Sequence, residues 1–503
     1  MHIISLVSDF TKTYWQRIIL LGTLLALMLG WHYYIQPWML DDAFISFRYA
    51  ENWANGLGPV YNAGERVEGY TTFLWVSLLA VTKIIGLETV VVAKIVGYLT
   101  AIGTLVLLMF LDKIIPYVDS KIAIIATIFV GTSGIFLPWA ISGMETALFT
   151  FLLLLTVVCY LKSFNNTTRR HLGVTSGCLT LLSLTRPEGV IVAGILFLHY
   201  VIVKRTHWQI LILPYFVLYG SYFLWRMYYY QSFFPNTYYA KSGDTLVHLV
   251  RGLRYMNRFV LAASSILIPS LLWLMDRSFD RAKSLRVPLL GILVGTYGAF
   301  VVYVGGDIMP AFRFFVPILP ILGIISASAI VTIFTNKKLI MLTTLCVVAG
   351  NMIQLLTHQE LNQNFFQDTV AADGKIVGQW LKENMPKDTV IAVNTAGTIP
   401  YYSGLKTIDM LGLTNSHIAK TSSGQLDLWF AGHAKGDGNY VLSQKPDVII
   451  FRSSLGAKEP YFKSDRELFS LKEFHSNYSY QETMLNEDST LKMYVRKNNI
   501  TIR

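Results

Sequence analysis

Long apolar runs recur through the first 357 residues of this chain, and they restrict its fold more than any other feature. Of the 503 residues, 53% are hydrophobic and 15% are charged, and the mean hydropathy of +0.45 is too high for a soluble protein of this size. The sequence therefore predicts a polytopic α-helical membrane protein. The candidate spans are residues 18–36, 72–86, 88–111, 122–139, 144–162, 172–184, 189–203, 208–226, 259–276, 287–304, 316–334 and 339–357.

Short cationic loops predict the orientation of these segments, because lysine and arginine are retained on the cytoplasmic side of a membrane. The loops assigned to the cytoplasm are 162–171, 204–207, 277–286 and 337–338. The net charge of +11 is therefore interpreted as an orientation signal and not as affinity for nucleic acid. The first loop, 37–71, and everything after residue 357 then lie outside. An inside N-terminus and an outside C-terminus need an odd number of spans, so we expect eleven, with one candidate between residues 72 and 139 being half-length, re-entrant or interfacial.

From residue 358 onwards the composition is that of a small α/β domain. A helix is predicted at 370–384, and β-rich runs occur at 389–393, 406–410, 447–451, 478–484 and 490–495. No Gly-rich phosphate loop stands at a strand-to-helix junction, so nucleotide binding is not indicated. The predicted domains are thus 1–357, transmembrane, and 358–503, soluble and extracytoplasmic. Neither a disulfide nor a metal cluster is indicated by the cysteines, which all lie in apolar runs: Cys159, Cys178 and Cys346.

Two adjacent carboxylates, Asp41 and Asp42, follow the first span directly and begin an amphipathic helix whose polar side carries Arg48. One interpretation is a solvated rim at the membrane surface. The other is that one carboxylate accepts the proton of an acceptor hydroxyl, as general-base catalysis requires. Carboxylates this close raise the pKa of at least one of them, which suits a base near neutral pH. Adjacent helical residues point about 100° apart, so only one of the two is expected to face a cavity.

Further polar side chains lie at the ends of predicted helices, next to the other external segments. Each of them has a structural interpretation as well as a functional one. Glu145 would cap a helix, and Arg186 would pair with Glu188 or bind a phosphate. Aromatic residues beside Asn236 and Lys241 suit an interfacial belt or a sugar-phosphate site. Acids that accept a proton and arginines that hold an anion would together fit a lipid-linked phosphosugar. The six ionisable groups expected to converge on one membrane face are Asp41, Asp42, Glu145, Arg186, Asp307 and Arg313.

Several of these motifs occur together, in the same order, in a known family. Residues 41–52 (Asp-Asp-Ala-Phe-Ile-Ser-Phe-Arg-Tyr-Ala-Glu-Asn) and 64–71 (Gly-Glu-Arg-Val-Glu-Gly-Tyr-Thr) resemble the bacterial terminal β-(1→2)-arabinofuranosyltransferases. The resemblance covers nearly the whole chain, including the soluble tail. It continues through residues 142–146, 185–189, 235–241, 305–307, 395–402 and 408–413.

The resemblance implies a GT-C glycosyltransferase fold in the bacterial cytoplasmic membrane, with a C-terminal periplasmic α/β domain. It also implies inverting transfer of a sugar, arabinofuranose being one candidate, from a polyprenyl-phosphate donor to a cell-envelope glycan or glycolipid. Asp41 matches the catalytic position, with Asp42 beside it. Membrane lipids, donor and acceptor are the expected partners; no cofactor or resident metal is expected, and a divalent cation is left open. The expected substrate contacts are Arg48, Glu68, Glu145, Arg186, Glu188, Asn236, Tyr238, Tyr239, Lys241, Asp307 and Arg313.

Two other functions stay open at this point. One is transfer of a modified pentose, of the aminoarabinose type, onto lipid A or another glycolipid. The other is a non-enzymatic transporter or lipid scaffold with an extracytoplasmic domain. Intramembrane charges of transporters usually lie near the bilayer midplane and on paired repeats, whereas here they lie at loop edges. Transfer assays with candidate lipid-linked donors would separate these functions.

Overall fold

The computed structural model describes residues 2–35, 38–275, 286–361, 369–421 and 432–497, which form a helical bundle followed by an α/β domain. The helices of the bundle part are α1 His2–Tyr34, α2 Asp41–Ala54, α3 Phe73–Ile84, α4 Thr89–Met109, α5 Leu111–Ile114, α6 Ser120–Gly131, α7 Thr146–Asn165, α8 Arg169–Thr185, α9 Glu188–Val203, α10 Trp208–Tyr230, α11 Asn236–Lys241, α12 Thr245–Ala262, α13 Ser264–Met275, α14 Arg286–Tyr303, α15 Leu319–Ile333 and α16 Lys337–Thr357. Short 3₁₀ turns lie at Leu137–Ala140 and Arg313–Ile318.

Each of the twelve apolar segments coincides with one of these helices, but they differ in length. Within the described residues, six helices are long and apolar enough to cross a membrane, and four apolar ones are shorter. Both α3 and α6 have 12 residues, or about 18 Å, which is well short of the roughly 30 Å of a hydrocarbon core. The candidate 122–139 is helical only to Gly131, because a Thr-Ser-Gly turn and a buried 3₁₀ turn follow. The total of eleven spans stays a prediction.

The C-terminal part contains a five-stranded sheet of mixed direction. Its strands are β1 Val390–Val393, β2 Lys406–Asp409, β3 Val448–Ile450, β4 Tyr478–Met484 and β5 Thr490–Arg496. They stand in the order β2-β1-β3-β5-β4, the first three parallel and the last two antiparallel to their neighbours. All five lie where β-rich runs were predicted. The helices are α17 Val370–Asn384, α18 Thr398–Ser403, α19 Ser416–Lys420, α20 Gly438–Ser443, α21 Lys463–Ser470 and α22 Lys472–Asn477.

Arg48, on α2, joins the bundle to the C-terminal domain. Its guanidinium donates from Nε to the carbonyl of Tyr61 at 2.8 Å, from Nη2 to that of Leu405 at 2.7 Å, and from Nη1 to that of Pro400. The side chain is buried and lies over the Tyr61 ring. A buried carbonyl without a donor is costly, so one arginine satisfies backbone groups from both parts of the molecule. The α2 helix is thereby fixed beneath α18.

The loop after α2 continues this junction. The Asn62 side chain pairs with the edge strand β2, accepting from the amide of Thr407 at 3.1 Å and donating to its carbonyl at 2.9 Å. The Tyr61 hydroxyl donates to the carbonyl of Ala396 at 2.7 Å. Phe44 packs edge-on against Tyr401, with ring centroids 5.5 Å apart. The first loop and the C-terminal domain therefore form one packed unit.

Replacing Arg48 tests this junction. The substitution Arg48→Met keeps an apolar stem but removes every donor, so the carbonyls of Pro400 and Leu405 keep only their bonds within the C-terminal domain and each loses a charge-assisted bond worth about 1.5–3 kcal/mol. We expect a lower unfolding temperature and faster proteolysis between the two parts in detergent-solubilised protein. The exposed Arg466, which donates to the carbonyl of Tyr461, provides the control Arg466→Met, for which little change is expected. Equal unfolding temperatures for the two variants would contradict the role assigned to Arg48.

Candidate active site

The two aspartates form the first turn of α2, where the partial positive charge of a helix N-terminus favours carboxylates. Leu40 before them is extended, and the segment 142–144 packs against this turn. Gly143 has φ of +79°, and a Cβ there would lie 2.7 Å from Cε of Met39 and 3.1 Å from Cβ of Ala43. Only glycine fits this conformation and spacing without strain. The Ser-Gly-Met-Glu motif therefore supports the start of the aspartate helix.

Asp41 is half-buried and is held by the C-terminal domain. Its Oδ2 accepts from the amide of Gly397 at 2.9 Å, and its Oδ1 accepts from the amide and the hydroxyl of Thr398 at 2.8 and 2.5 Å. Desolvation raises the pKa of Asp41 to about 6, although the hydrogen bonds from Thr398 oppose the rise, while the neighbouring Asp42 adds to it. A carboxylate with this pKa is ionised at neutral pH and basic enough to accept a proton.

Asp42 on α2 and Lys241 on α11 lie close enough for the charge of Asp42 to act on the pKa of Lys241. Neither charged group has a hydrogen bond or ion pair within the part of the chain that the structure describes. Lys241 is accessible to solvent, yet desolvation by the surrounding protein lowers its pKa, and Arg313 lowers it further, whereas Asp307 and Asp42 raise it. Lys241 is therefore a solvent-accessible cation beside this polar cluster, and among the described residues it is uncommitted.

Asp307 and Arg313 form a buried ion pair beside Lys241, with 2.6 Å between Oδ2 and Nε. Arg251 on α12 donates from Nε to the carbonyl of Gly305 at 2.9 Å, and its Nη1 is buried without a hydrogen-bond partner among the described residues. The polar cluster around Lys241 thus contains three cations, namely Lys241, Arg251 and Arg313. The carboxylates near them are those of Asp42 and Asp307. The unmatched positive charge suits an anionic ligand.

Arg186 lies between two carboxylates and not beside a free anion site. Its Nη1 donates to Glu145 at 2.5 Å and its Nη2 to Glu188 at 2.7 Å, and all three side chains are buried. One cation between two carboxylates has no surplus positive charge to offer a phosphate. The geometry therefore favours the alternative of mutual pairing for Arg186, and phosphate binding by this residue stays a prediction. Glu145 and Glu188 serve as its counter-ions.

Three other residues that were predicted to contact substrate make hydrogen bonds or ion pairs within the protein. Arg48 is committed to backbone carbonyls, as described above. Glu68 forms a buried ion pair with Arg226, whose Nε lies 3.1 and 3.0 Å from its two oxygens. Asn236 donates to the carbonyls of Gly412 and Leu413 at 2.8 and 2.9 Å. Arg48, Glu68 and Asn236 thus take part in packing between the loops and the C-terminal domain, and their contact with substrate stays a prediction.

The two tyrosines beside Lys241 differ in their surroundings. Tyr238 is exposed and stacks on Phe234, with ring centroids 4.4 Å apart. Tyr239 is half-buried, and the ammonium of Lys420 lies 5.4 Å from its ring centroid. Aromatic faces next to a cationic cluster can bind a sugar, so these tyrosines stay predicted substrate contacts. No group of three or more His, Cys, Asp or Glu side chains is placed to share a metal ion in the described ranges.

Sequence reasoning assigned no role to Gly397 and Thr398, although the segment 395–402 belongs to the motifs quoted above. Thr398 bonds a carboxylate 357 positions away in sequence. No spacing or periodicity connects such residues. The Thr-Ala-Gly-Thr segment at the start of a short helix was the only signal, and that signal alone does not identify a partner.

A family model described as "Domain of unknown function (DUF8728)" matches residues 359–499. The chain is also 28% identical over 256 residues to a terminal β-(1→2)-arabinofuranosyltransferase of Mycobacterium tuberculosis, over 47% of this chain and 40% of that protein. A protein of the same name from Corynebacterium glutamicum is 26% identical over 344 residues, over 58% of this chain and 48% of that one. The expected resemblance is confirmed, and the chain spans less than half the length of these curated relatives.

The solved structures give the fold. ArnT from Cupriavidus metallidurans in the apo state superposes with a TM-score of 0.61 at 12% identity, over 96% of this chain and 98% of that one. The same protein bound to undecaprenyl phosphate gives 0.59 at 13% identity, over 95% and 98%. This chain has the GT-C fold. The predicted fold class is thereby confirmed.

The buried pair of Glu68 and Arg226 allows a sharp test of the structural assignment. The substitution Arg226→Met leaves an unpaired buried carboxylate and should cost about 3–5 kcal/mol of stability. The double variant Glu68→Gln/Arg226→Met removes that charge, so it should recover a measurable part of the loss in thermal unfolding of detergent-solubilised protein. If the double variant is no more stable than Arg226→Met, the two residues do not act as a pair.

Proposed function

We propose that this protein is an integral membrane glycosyltransferase that moves a sugar from a polyprenyl-phosphate donor to a cell-envelope glycan or glycolipid. The observation that carries the proposal is the polar cluster at the start of α2, where Asp42, next to Asp41, lies near the solvent-accessible ammonium of Lys241, which has no ion pair among the described residues. A carboxylate can take a proton from a hydroxyl, and an ammonium can hold a phosphate. The arabinofuranosyltransferase names of the relatives and the undecaprenyl phosphate bound to ArnT support this substrate class.

The proposed reaction uses Asp41 as the general base. Three of the roughly four lone-pair directions of its carboxylate are occupied by Gly397 and Thr398, so one remains for an acceptor hydroxyl. As the proton passes to Asp41, the hydroxyl oxygen attacks the anomeric carbon and the bond from that carbon to the phosphate oxygen breaks. Polyprenyl phosphate leaves with the bonding electrons, and the ammonium of Lys241 offsets its negative charge. Asp42 balances Lys241 before the donor binds.

Arabinofuranose is the proposed sugar, because both curated relatives carry that name. The likeness to ArnT is one of fold at 12–13% identity, so it gives the aminoarabinose alternative no separate support. The cationic loops 162–171, 204–207 and 337–338 support placing the polar cluster and the C-terminal domain on the extracytoplasmic side. A lipid-linked donor is available there, and a nucleotide sugar is not required.

Asp41 should be needed for turnover and Asp42 needed less. With polyprenyl-phosphate arabinofuranose as donor and an arabinan oligosaccharide as acceptor, we expect Asp41→Asn to lose about 100- to 10,000-fold in kcat. Donor KM should change little. Because the base must be ionised, wild-type activity should fall as the pH drops through about 6. Initial rates of purified protein check both points.

The control is Asp42→Asn, which should lose less kcat at a similar unfolding temperature. An Asp41→Asn protein that transfers sugar at the wild-type rate would remove Asp41 as the base and make Asp42 the next candidate. Transfer from an aminoarabinose donor in place of the arabinofuranose donor would favour the alternative sugar. Transfer from neither donor would favour a non-enzymatic function.

Lys241 should determine donor affinity. Loss of a charge-assisted hydrogen bond to a phosphate, worth about 1.5–3 kcal/mol, should raise donor KM roughly 10- to 100-fold in Lys241→Ala. Lys241→Arg should keep much of the affinity. The matched control is Lys420→Ala, which removes a neighbouring exposed lysine that lies over Tyr239. Equal donor KM values for Lys241→Ala and Lys420→Ala would show that Lys241 does not hold the phosphate.

A further inference from the structure

We infer that the C-terminal domain completes the active site by supplying Thr398, with Gly397, as the positioning residue for Asp41. The inference rests on the proposed function, since it takes Asp41 as the base. It gives a specific role to a domain whose matching family model has no described function. The first loop alone does not orient the Asp41 carboxylate, because among the described residues its oxygens accept hydrogen bonds from residues 397 and 398 of the C-terminal domain.

The three hydrogen bonds fix the plane of the carboxylate. Oδ1 accepts two donors from Thr398 and Oδ2 accepts one from Gly397, so rotation about the Cβ–Cγ bond would break contacts on both oxygens. The lone pair left on Oδ2 then points in one direction only. A base must lie within hydrogen-bond reach of the proton that it takes, so a fixed direction selects which acceptor hydroxyl can react.

The packing around Thr398 leaves no room for other arrangements. Thr398 is fully buried, and a Cβ added at Gly374 of α17 would lie 2.0 Å from its hydroxyl oxygen. A Cβ added at Gly397 would lie 1.9 Å from the carbonyl oxygen of Asp41. Both glycines are therefore required for α17, α18 and α2 to approach this closely. Thr398 is enclosed between a helix of its own domain and the aspartate.

Few other charged groups act on Asp41. Asp42, on the same helix, raises its pKa, and from the first loop the Tyr61 ring is close enough for the charge of Asp41 to affect the pKa of its hydroxyl. That hydroxyl donates to the carbonyl of Ala396 and does not bond the carboxylate. Thr398 is thus the neighbour whose side chain directly stabilises the ionised form of Asp41.

The experiment compares Thr398→Val with Thr398→Ser in the full-length enzyme. Valine keeps the shape of threonine and removes the hydroxyl, whereas serine keeps the hydroxyl. Loss of a donor to the carboxylate raises the pKa of Asp41, so the acid limb of the kcat profile should move up by about one pH unit in Thr398→Val. It should stay in place in Thr398→Ser. Donor KM should be unchanged in both variants.

The matched control is Thr407→Val, in the same domain. The Thr407 hydroxyl is also buried, but it donates to the carbonyl of Leu405 and lies apart from the aspartates. A general loss of packing would affect Thr398→Val and Thr407→Val alike, and neither acid limb would move. An acid limb that stays at the wild-type pH in Thr398→Val would overturn the inference.

A second measurement does not depend on activity. Hydrogen exchange of the amides of Gly397 and Thr398 should be slow in the wild type. In Asp41→Asn the remaining carbonyl oxygen can still accept from Thr398, but the NH₂ group cannot accept from Gly397, so exchange of the Gly397 amide should become faster. It should remain slow in Asp42→Asn. If wild-type protein transfers no sugar, the proposed function fails, and this measurement still decides the contact. Unchanged exchange in Asp41→Asn would overturn the positioning role.

Discussion

The guanidinium of Arg48 is the interaction on which the arrangement of the two parts depends. It donates to the carbonyl of Tyr61 in the first loop, to that of Pro400 within α18 and to that of Leu405 just after it, so a side chain from the bundle bonds the backbone of the C-terminal domain. Each of these carbonyls also accepts a second donor, and the charged guanidinium adds the bonds that join the two parts. The resulting packing of the two parts places residues 397 and 398 against Asp41. The orientation of the candidate base follows from that packing.

The charged side chains of the candidate site form two groups with different charge balances. The group around Arg186 has two carboxylates for one cation, whereas the group around Lys241 has three cations for two carboxylates. In a partly enclosed site these differences are screened less than in water. Under the proposed function, an incoming anion is therefore directed to the Lys241 side, near the carboxylate of Asp42. The two groups together are close to neutral, which limits the cost of enclosing them.

The sequence predicted the fold well, because apolar runs and cationic loops are local signals, and the five strands were found for the same reason. The predicted topology also placed the polar motifs at one end of the bundle. The sequence could not distinguish a substrate contact from an ion pair. Glu68 and Arg226 lie 158 positions apart, so each looks like an unpaired charge when only its own segment is considered. The contacts of Arg48 and Asn236 with the C-terminal domain were not predicted, for the same reason. The role of Thr398 depends on a tertiary contact that no periodicity encodes.

The contact between Asp41 and Thr398 joins residues 357 positions apart, near opposite ends of the chain. During synthesis the aspartate helix emerges early, and its partner emerges only after the whole membrane bundle has been made. Until then α2 lacks the donors that orient its carboxylate. A chain whose C-terminal domain has not docked on the bundle would therefore hold the proposed base without its donors. Under the proposed function, the unfinished molecule is not expected to transfer sugar.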